Sequence, residues 1–363
     1  MYLYLSAYTF QREIFNSDIS KAKGTARYNH KEKKKLNDHI NNVHKNIKMK
    51  ISVIIPVYNA EKFIRNAVES AVRLEEVCEV ILIEDQSPDN ALAICKELTS
   101  KHNKVKLYRH KDNVNCGAGL SRNLGIKNAV GDFIAFLDAD DFYLPNRFNA
   151  EKELFKDPKV EGVYGAIGVC YYSQKAKNKY YKVFGERLTT VYKRYKPEDV
   201  FPGQIGMIGS FGLFSVDALT IRKDALFKMN ILFKSLRMHE DTEFLFRLSY
   251  YLDLYPGILD RPVAMRGIHE NNRITKIETR EEKPAKTRVL LWKEIKDWAE
   301  SEVEISKEAK THIIRMHRSF EIANSRWLIK RIMILKYAIL DYYSIRSGLY
   351  NINFFNRGKY RLK

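Results

Sequence analysis

The stretch Ile51-Ser52-Val53-Ile54-Ile55-Pro56-Val57 is almost wholly apolar and rich in β-branched residues. A short run of this kind predicts a β-strand that is buried on both faces. Similar runs at 80–83, 105–108 and 133–137 predict three more short strands. Because helical patterns separate these strands, the sequence predicts an α/β fold with a Rossmann-like, mostly parallel sheet and flanking helices.

The helices between the strands are predicted from capping residues and apolar periodicity. Asn59 is expected to cap a helix whose apolar stripe continues to residue 72. Ser87 and Pro88 are expected to start the next helix, which runs to about residue 100. Beyond residue 150 the pattern loosens, apart from a predicted helix over 239–252 and a helical region over 286–346.

The length of 363 residues, with 45% apolar residues, is enough for more than one structural unit. We expect a basic, disordered arm over 1–48, two halves of one central domain over 49–150 and 151–280, and a helical, basic C-terminal extension over 281–363. The arm lacks core periodicity, and Met49 stands directly before the first strand. We therefore expect the arm to be dispensable for folding and activity, with Met49 as a candidate translation start.

The net charge of +19 is concentrated at the two ends, where residues 1–48 carry +6 and residues 311–363 carry +9. An excess of this size favours a polyanionic partner, and a non-enzymatic nucleic-acid-binding protein is one interpretation. The segment 326–337 mixes bulky apolar residues with basic ones, which favours docking on an anionic membrane surface. The alternative is a helix that packs on the central domain and lets its lysines snorkel to solvent.

The chain has only four cysteines, Cys78, Cys95, Cys116 and Cys170, which is typical of a reducing compartment, and they show neither a CxxC pair nor a metal-site spacing. The apolar start of the chain has neither a basic region before it nor a small-residue cleavage site after it, so no signal peptide is predicted. No uncharged apolar run reaches the length of a spanning helix. We therefore expect a cytoplasmic protein, peripheral at the inner face of the cell membrane if the C-terminal segment docks there.

Acidic residues follow two of the predicted strands. Asp138 and Asp140 come directly after the fourth strand, and Asp85 follows the second. Ligands of open α/β sheets bind beyond the carboxyl ends of the strands, so these carboxylates are expected to converge at a ligand site. Carboxylate oxygens with water and phosphate suit Mg²⁺ or Mn²⁺. Such an acidic edge would repel nucleic-acid phosphates, so we expect no nucleic-acid partner.

The loop after the first strand contains no glycine-rich phosphate motif. Neither GxGxxG nor GxxxxGK[ST] occurs there, which argues against a dinucleotide-dependent dehydrogenase and a P-loop NTPase. A nucleotide at this edge would have to be held by side chains and a metal. A nucleotidyltransferase with a similar sheet and acidic metal site remains an alternative.

Four motifs resemble those of the family 2 glycosyltransferases, in the same order. They are Ser52-Val53-Ile54-Ile55-Pro56-Val57-Tyr58-Asn59-Ala60-Glu61, Glu84-Asp85-Gln86-Ser87-Pro88-Asp89-Asn90, Ser121-Arg122-Asn123-Leu124-Gly125 and Phe136-Leu137-Asp138-Ala139-Asp140-Asp141. The resemblance implies a GT-A fold and an inverting, metal-dependent transfer of a sugar from a nucleotide-diphosphate donor, expected to be a UDP-sugar. It further implies a glycan or lipid-linked acceptor in cell-surface polysaccharide synthesis. Residues 49–150 would bind the nucleotide sugar and 151–280 the acceptor.

The resemblance also implies roles for individual residues. The nucleobase pocket would be lined by Pro56, Val57, Tyr58, Asn59 and Glu61, with Asp85 on the uracil edge, Ser87 nearby, Arg122 near the diphosphate, Asp138 and Ala139 at the ribose, and Asp140 on the metal. Gln86 departs from the glycine that is usual in the second motif, and it leaves the base specificity open.

A later Glu-Asp pair in the family supplies the catalytic base. Glu240 and Asp241 fit this pattern at the start of the predicted helix 239–252. A carboxylate in the first turn of a helix stays ionised, as a general base requires. We assign Asp241 as the base and Glu240 as its orienting or acceptor-binding neighbour. The resemblance also makes His269 a metal ligand or a diphosphate contact.

The region 171–200 combines six tyrosines with eight basic residues. This interleaving is compatible with a lid over the acceptor, with a nucleic-acid surface, and with a solvated loop. The sequence leaves these three interpretations open.

Overall fold

The structure is a computed structural model, and it describes residues 49–111, 114–270, 272 and 283–341. The predicted arm over 1–48 and the last part of the C-terminal extension, from 342 onward, lie outside the described residues.

The central sheet begins with four parallel strands, as the sequence predicts. They are β1 (Ile51–Val57), β2 (Val77–Glu84), β3 (Val105–Arg109) and β4 (Phe133–Phe136). Within this part of the sheet β2 pairs with β1 and β3, and β4 pairs with β1 on its other side. The carboxyl ends of all four strands therefore meet at one edge.

Later strands extend this sheet and form a smaller one. In chain order they are β5 (Phe142–Tyr143), β6 (Gly162–Tyr164), β7 (Ala166–Tyr171), β8 (Leu219–Arg222), β9 (Leu254–Pro256) and β10 (Pro262–Ile268). The seven-stranded sheet has the order β3-β2-β1-β4-β8-β6-β9, and β8 is antiparallel to both of its neighbours. The three-stranded sheet has the order β5-β10-β7. Because β8 pairs with β4, both predicted halves of the central domain share one sheet.

The described helices lie around these sheets. In chain order they are α1 (Ile64–Val72), α2 (Ala91–Lys101), α3 (Ala118–Asn128), α4 (Asn149–Leu154), α5 (Gln174–Phe184), α6 (Pro197–Gln204), α7 (Lys223–Lys228), α8 (Glu240–Tyr251), α9 (Lys283–Ser301), α10 (Lys307–Asn324) and α11 (Trp327–Leu340), with a 3₁₀ turn at Val216–Ala218. The mixed α/β architecture and the helical C-terminal part confirm the predicted fold class.

Both faces of the central sheet are covered. Val53 and Ile55 point into one apolar core, and Ile54 between them points into the core on the opposite face. This alternation follows from the period of two along a strand, and it explains why β1 is apolar throughout.

Two predicted helix starts were wrong. Asn59 has a left-handed backbone (φ 52°), and α1 begins only at Ile64. Ser87 does not cap α2, which begins at Ala91. Asp89 instead accepts the Ala91 amide at 3.2 Å, so acidic side chains after β2 take over the capping.

Within the predicted helical region over 286–346, the described residues form three helices, α9, α10 and α11. Ser306 caps α10 by accepting the Ala309 amide at 3.1 Å, and the chain turns again between α10 and α11. A third apolar core joins α9 and α10 to α6 and α8 through Phe201, Phe246 and Trp298. In the part of the chain that the structure describes, no helix is long and apolar enough to cross a membrane.

Candidate functional site

The end of β1 opens into a pocket of about 530 Å³. Pro56 and Val57 are part of the strand, and the Tyr58 side chain beyond them is 54% exposed. The left-handed turn at Asn59 lets its amide donate a hydrogen bond to Ser87 Oγ at 3.3 Å. The structure thus brings together the ends of β1 and β2, where the sequence predicts a nucleobase pocket.

Glu61 exchanges hydrogen bonds with the start of α2. Its amide donates to Asp89 Oδ2 at 2.8 Å, and its carboxylate accepts the Asn90 amide at 3.0 Å. Glu61 and Asn59 also line the pocket, whose opposite wall includes His269. Two residues predicted to contact the base and one predicted to contact the metal therefore border the same space.

Asp85 is buried and engaged with the loop that precedes α3. Its two carboxylate oxygens accept the amides of Cys116 at 2.7 Å and Gly117 at 2.8 Å. Asn115 Nδ2 donates to the Asp85 carbonyl at 2.9 Å. The sequence assigns Asp85 to the uracil edge, whereas in the structure its carboxylate holds this loop against the end of β2.

Arg122 is the buried cation of the site. The side chain leaves α3, and its Nη2 donates to Asp138 Oδ1 at 2.5 Å, while Nη1 lies 4.0 Å from Glu240 Oε1. The guanidinium also lies over the Phe233 ring, 5.3 Å from its centroid. Burial lowers the pKa of Arg122, but the surrounding carboxylates outweigh this effect and raise it. Arg122 was expected near the diphosphate; here it fixes the Asp138 carboxylate and joins it to α8.

Three carboxylates meet at the end of β4. Oxygens of Asp138, Asp141 and Asp217 all lie within 4.8 Å of one another. Asp217 Oδ1 accepts the Asp138 amide at 2.9 Å, and Asp141 Oδ1 accepts the Gly267 amide at 2.9 Å. Ala139, predicted with Asp138 at the ribose, is 8% exposed between them.

Burial and mutual repulsion raise the pKa of two of these carboxyls. Burial, then the Asp138 carboxylate, raises the pKa of Asp217 to about 6, although Arg266 opposes the shift. Burial, then Asp217, raises the pKa of Asp141 well above its ordinary value. Burial and crowding thus disfavour the charged forms of these two carboxyls, and a bound cation would act in the opposite direction.

Asp140 lies beside His269, which lines the pocket. His269 Nε2 lies 3.2 Å from Asp140 Oδ2, and Phe63 stacks on the imidazole with ring centroids 4.4 Å apart. Neighbouring ligand atoms of an octahedral ion with bonds of about 2.1 Å lie roughly 3 Å apart. The Asp140–His269 spacing thus fits two ligands of one divalent cation, and the mixed oxygen and nitrogen donors suit Mn²⁺ as well as Mg²⁺.

Glu240 and Asp241 open α8, as the sequence predicts. Glu240 is buried beside Arg122, whereas Asp241 is exposed and accepts the Thr242 amide at 2.7 Å. The Asp241 carboxylate also helps to raise the pKa of Arg122, so its charge interacts with the buried guanidinium. The exposed member of the pair is the one that an acceptor hydroxyl could reach.

Sequence reasoning missed Asp217 and Arg266 as members of the site. Asp217 lies in the short 3₁₀ turn before β8, where Ser215 Oγ donates to it at 2.9 Å. Its Ser-x-Asp pattern is a local capping signal, and it does not predict the contact of Asp217 with the end of β4. Arg266 lies on β10, and only the pairing of β10 with β5 brings it to the acidic edge.

A mostly parallel sheet with an Asp-x-Asp pair and a facing histidine at its carboxyl edge is the arrangement of GT-A glycosyltransferases. Residues 52–221 match the sequence model of the family described as Glycosyl transferase family 2. This part of the chain therefore matches a family 2 glycosyltransferase domain, which confirms the resemblance seen in the four motifs.

Several proteins named as glycosyltransferases or teichoic acid biosynthesis proteins are similar to this chain in sequence. An uncharacterized glycosyltransferase of Rickettsia felis is 32% identical over 183 residues, which cover 50% of this chain and 28% of the relative. The minor teichoic acid biosynthesis protein GgaB of Bacillus subtilis is 37% identical over 113 residues, covering 30% of this chain and 12% of that protein. GgaA of the same organism is 30% identical over 203 residues, covering 51% and 44%. The chain thus spans less than half the length of each of these relatives.

Among solved structures, residues 1–349 of S. aureus TarS in complex with UDP-GlcNAc are similar, with a TM-score of 0.53 and 20% identity. The similarity covers 83% of this chain and 78% of that one. At this level of identity the likeness establishes the shared fold.

Proposed function

We propose that this protein transfers a sugar, with inversion, from a nucleotide-diphosphate donor to a hydroxyl group of a glycan or lipid-linked acceptor. The observation that supports the proposal best is that the Arg122–Asp138 and His269–Asp140 pairs lie at the carboxyl edge of a sheet within or beside residues 52–221, which match family 2 glycosyltransferases.

The donor is proposed to be a UDP-sugar. Its base would enter the pocket beside Tyr58, Asn59 and Glu61, and its ribose would meet the Asp138 carboxylate that Arg122 holds in place. The similar fold of TarS was crystallised in complex with UDP-GlcNAc, which supports this donor class. Each oxygen of the Asp85 carboxylate accepts one loop amide and keeps a further lone pair, which an N–H of the base could use.

Asp140 and His269 would hold a divalent cation. Bound there, Mn²⁺ or Mg²⁺ would supply positive charge to neutralise the diphosphate as it leaves. A cation there would also favour the ionised form of the neighbouring Asp141, whose pKa the Asp140 carboxylate helps to raise.

Asp241 is proposed as the general base. Its carboxylate would take the proton of the acceptor hydroxyl while that oxygen bonds to the anomeric carbon. The bond from the anomeric carbon to the diphosphate oxygen would break at the same time, and the electron pair would leave with UDP. Attack from the face opposite the nucleotide inverts the anomeric configuration and requires no covalent enzyme intermediate.

The acceptor is proposed to belong to cell-surface polysaccharide synthesis. The names of GgaA and GgaB, which are minor teichoic acid biosynthesis proteins, support this class. The four cysteines are free thiols, as expected if the reaction takes place in the cytoplasm.

A screen of nucleotide sugars tests the proposal. Thermal-shift measurements with Mn²⁺ should show stabilisation by one or a few UDP-sugars, followed by slow hydrolysis that releases UDP. Release of pyrophosphate from a nucleoside triphosphate and a sugar phosphate would instead identify a nucleotidyltransferase. No binding of any nucleotide sugar, with or without Mn²⁺, would contradict the proposal.

A further inference from the structure

Helix α11 exposes a stripe of aliphatic side chains. Leu328, Ile332, Leu335 and Ile339 are 63%, 59%, 65% and 83% exposed. At 100° per residue, these four positions fall within a sector of about 60° on the helix. Four large apolar side chains on one narrow face form a patch, rather than the scattered exposure that is ordinary on protein surfaces.

The opposite face of α11 is fixed on α10. The Arg318 guanidinium lies over the Tyr337 ring, 4.8 Å from its centroid, and Ser325 Oγ contacts Met333 Sδ at 3.2 Å. Asp341, directly after the helix, accepts a hydrogen bond from Arg315 Nε at 3.0 Å. These contacts orient the helix, so the apolar stripe is turned away from α10.

Basic residues border the stripe on both sides. Arg331 lies roughly 40° beyond one edge of the stripe, and Lys336 lies about as far beyond the other edge, next to the exposed side chains of Ile329 and Leu340. Arg331 lies over the Trp327 ring, 4.1 Å from its centroid. A third basic residue, Lys330, is half-buried on the side away from the stripe. The exposed face is therefore amphipathic, with an apolar centre and basic edges.

We propose that this face of α11 docks on an anionic lipid bilayer, with the stripe inserted at the level of the headgroups and Arg331 and Lys336 on the lipid phosphates. A helix of 14 residues is too short to span a bilayer but suits the interface. Trp327, beside Arg331 at the start of the helix, has the amphipathic ring typical of that depth.

Charge favours a lipid surface over two alternative partners for this face, a second copy of the chain and the residues from 342 to the end. A second copy of the chain would bring the same basic edges against each other, because a twofold contact repeats one surface. The residues from 342 to the end contain five basic residues and no acidic ones, so they would not neutralise the face either. An anionic headgroup complements both the apolar centre and the cations.

Tryptophan fluorescence provides the test on the full-length protein. The chain has three tryptophans, of which Trp292 and Trp298 are 5% and 8% exposed and Trp327 is 66% exposed. Vesicles of phosphatidylglycerol and phosphatidylcholine should shift the emission to the blue, and brominated lipids should quench it. Trp327→Phe should abolish both signals, and vesicles of phosphatidylcholine alone should bind much less protein.

Sedimentation with the same vesicles separates the contribution of the apolar stripe from that of the basic residues beside it. Ile332→Glu with Ile339→Glu should weaken binding roughly tenfold or more, whereas Val303→Glu, a change of equal chemistry at a residue that is 90% exposed elsewhere, should have no effect. Arg331→Gln with Lys336→Gln should weaken binding about 25-fold at low salt, since each basic residue near the surface contributes about fivefold. Arg261→Gln is the matched control.

Three results would overturn the proposal. These are equal sedimentation of the stripe variant and the wild type, absence of quenching by brominated lipid, and a lipid-independent dimer that the stripe variant dissociates. Circular dichroism of each variant establishes that it is folded. Because none of these measurements depends on sugar transfer, failure here leaves the proposed function intact.

Discussion

His269 Nε2 lies 3.2 Å from Asp140 Oδ2, although 129 residues separate them in the chain. β10 runs antiparallel to β5, which begins two residues after Asp140, so the strand that ends just before His269 passes beside the acidic turn. Phe63, just before α1, stacks on the imidazole from the opposite side. Three distant parts of the chain thus fix one pair of candidate metal ligands.

Asp140→Asn should make UDP binding insensitive to metal. Wild-type affinity for UDP, measured by calorimetry, should be at least about tenfold higher in Mn²⁺ than in EDTA, because the cation joins the protein to the diphosphate. In the variant the two affinities should be equal. Asp260→Asn, at an exposed position before β10, serves as the control and should behave as the wild type. Tight UDP binding by the wild type in EDTA would contradict the metal role.

Asp241→Asn should separate binding from chemistry. The amide keeps the shape of the side chain but cannot take a proton, so transfer should fall by roughly 10² or more while UDP-sugar affinity stays unchanged. Asp253→Asn, just beyond the other end of α8, should retain full activity. Near-wild-type transfer by Asp241→Asn with a verified acceptor would rule out this residue as the base.

Gly267→Ala should disturb the metal ligands through the backbone. A Cβ at this position would lie 2.0 Å from the Asp140 carbonyl oxygen, so the turn that holds Asp140 must move. We expect a loss of about 1–3 kcal/mol in the free energy of unfolding, together with weaker Mn²⁺-dependent UDP binding.

Gly168→Ala is the control for this change, because its Cβ would meet the flexible Met265 side chain at 2.8 Å. It should cost less stability and leave UDP binding unchanged. If Gly267→Ala bound UDP as the wild type does, the turn would tolerate displacement and would not be a fixed part of the site.

His312→Gln should remove part of the acid sensitivity of the fold. His312 Nε2 bonds to the Ile205 carbonyl at 2.8 Å, and burial lowers the pKa of the imidazole. The unfolded state therefore takes up this proton first as the pH falls through about 6.5, and stability is lost on the acid side. The melting temperature of the wild type should drop more steeply between pH 7.5 and 5.5 than that of the variant, and parallel curves would contradict the assignment.

The sequence alone predicted the first four strands and the position of the acidic residues that follow them. These predictions succeed because each strand in a parallel sheet is buried on both faces, so its apolar run is a local signal that needs no partner. Asp138 and Asp140 could be found in the same way, since they follow a strand, whereas Glu240 was singled out by the resemblance to the family.

The partners of these residues were decided by the tertiary structure. Asp217 reaches Asp138 because the later strand β8 pairs antiparallel with β4, and Arg122 reaches both Asp138 and Glu240 because α3 and α8 lie side by side. The outward face of α11 likewise depends on its contacts with α10. The local sequence determines the propensity and periodicity of each segment. Pairing between distant strands and helices depends instead on the apolar surface that the whole chain buries when it folds.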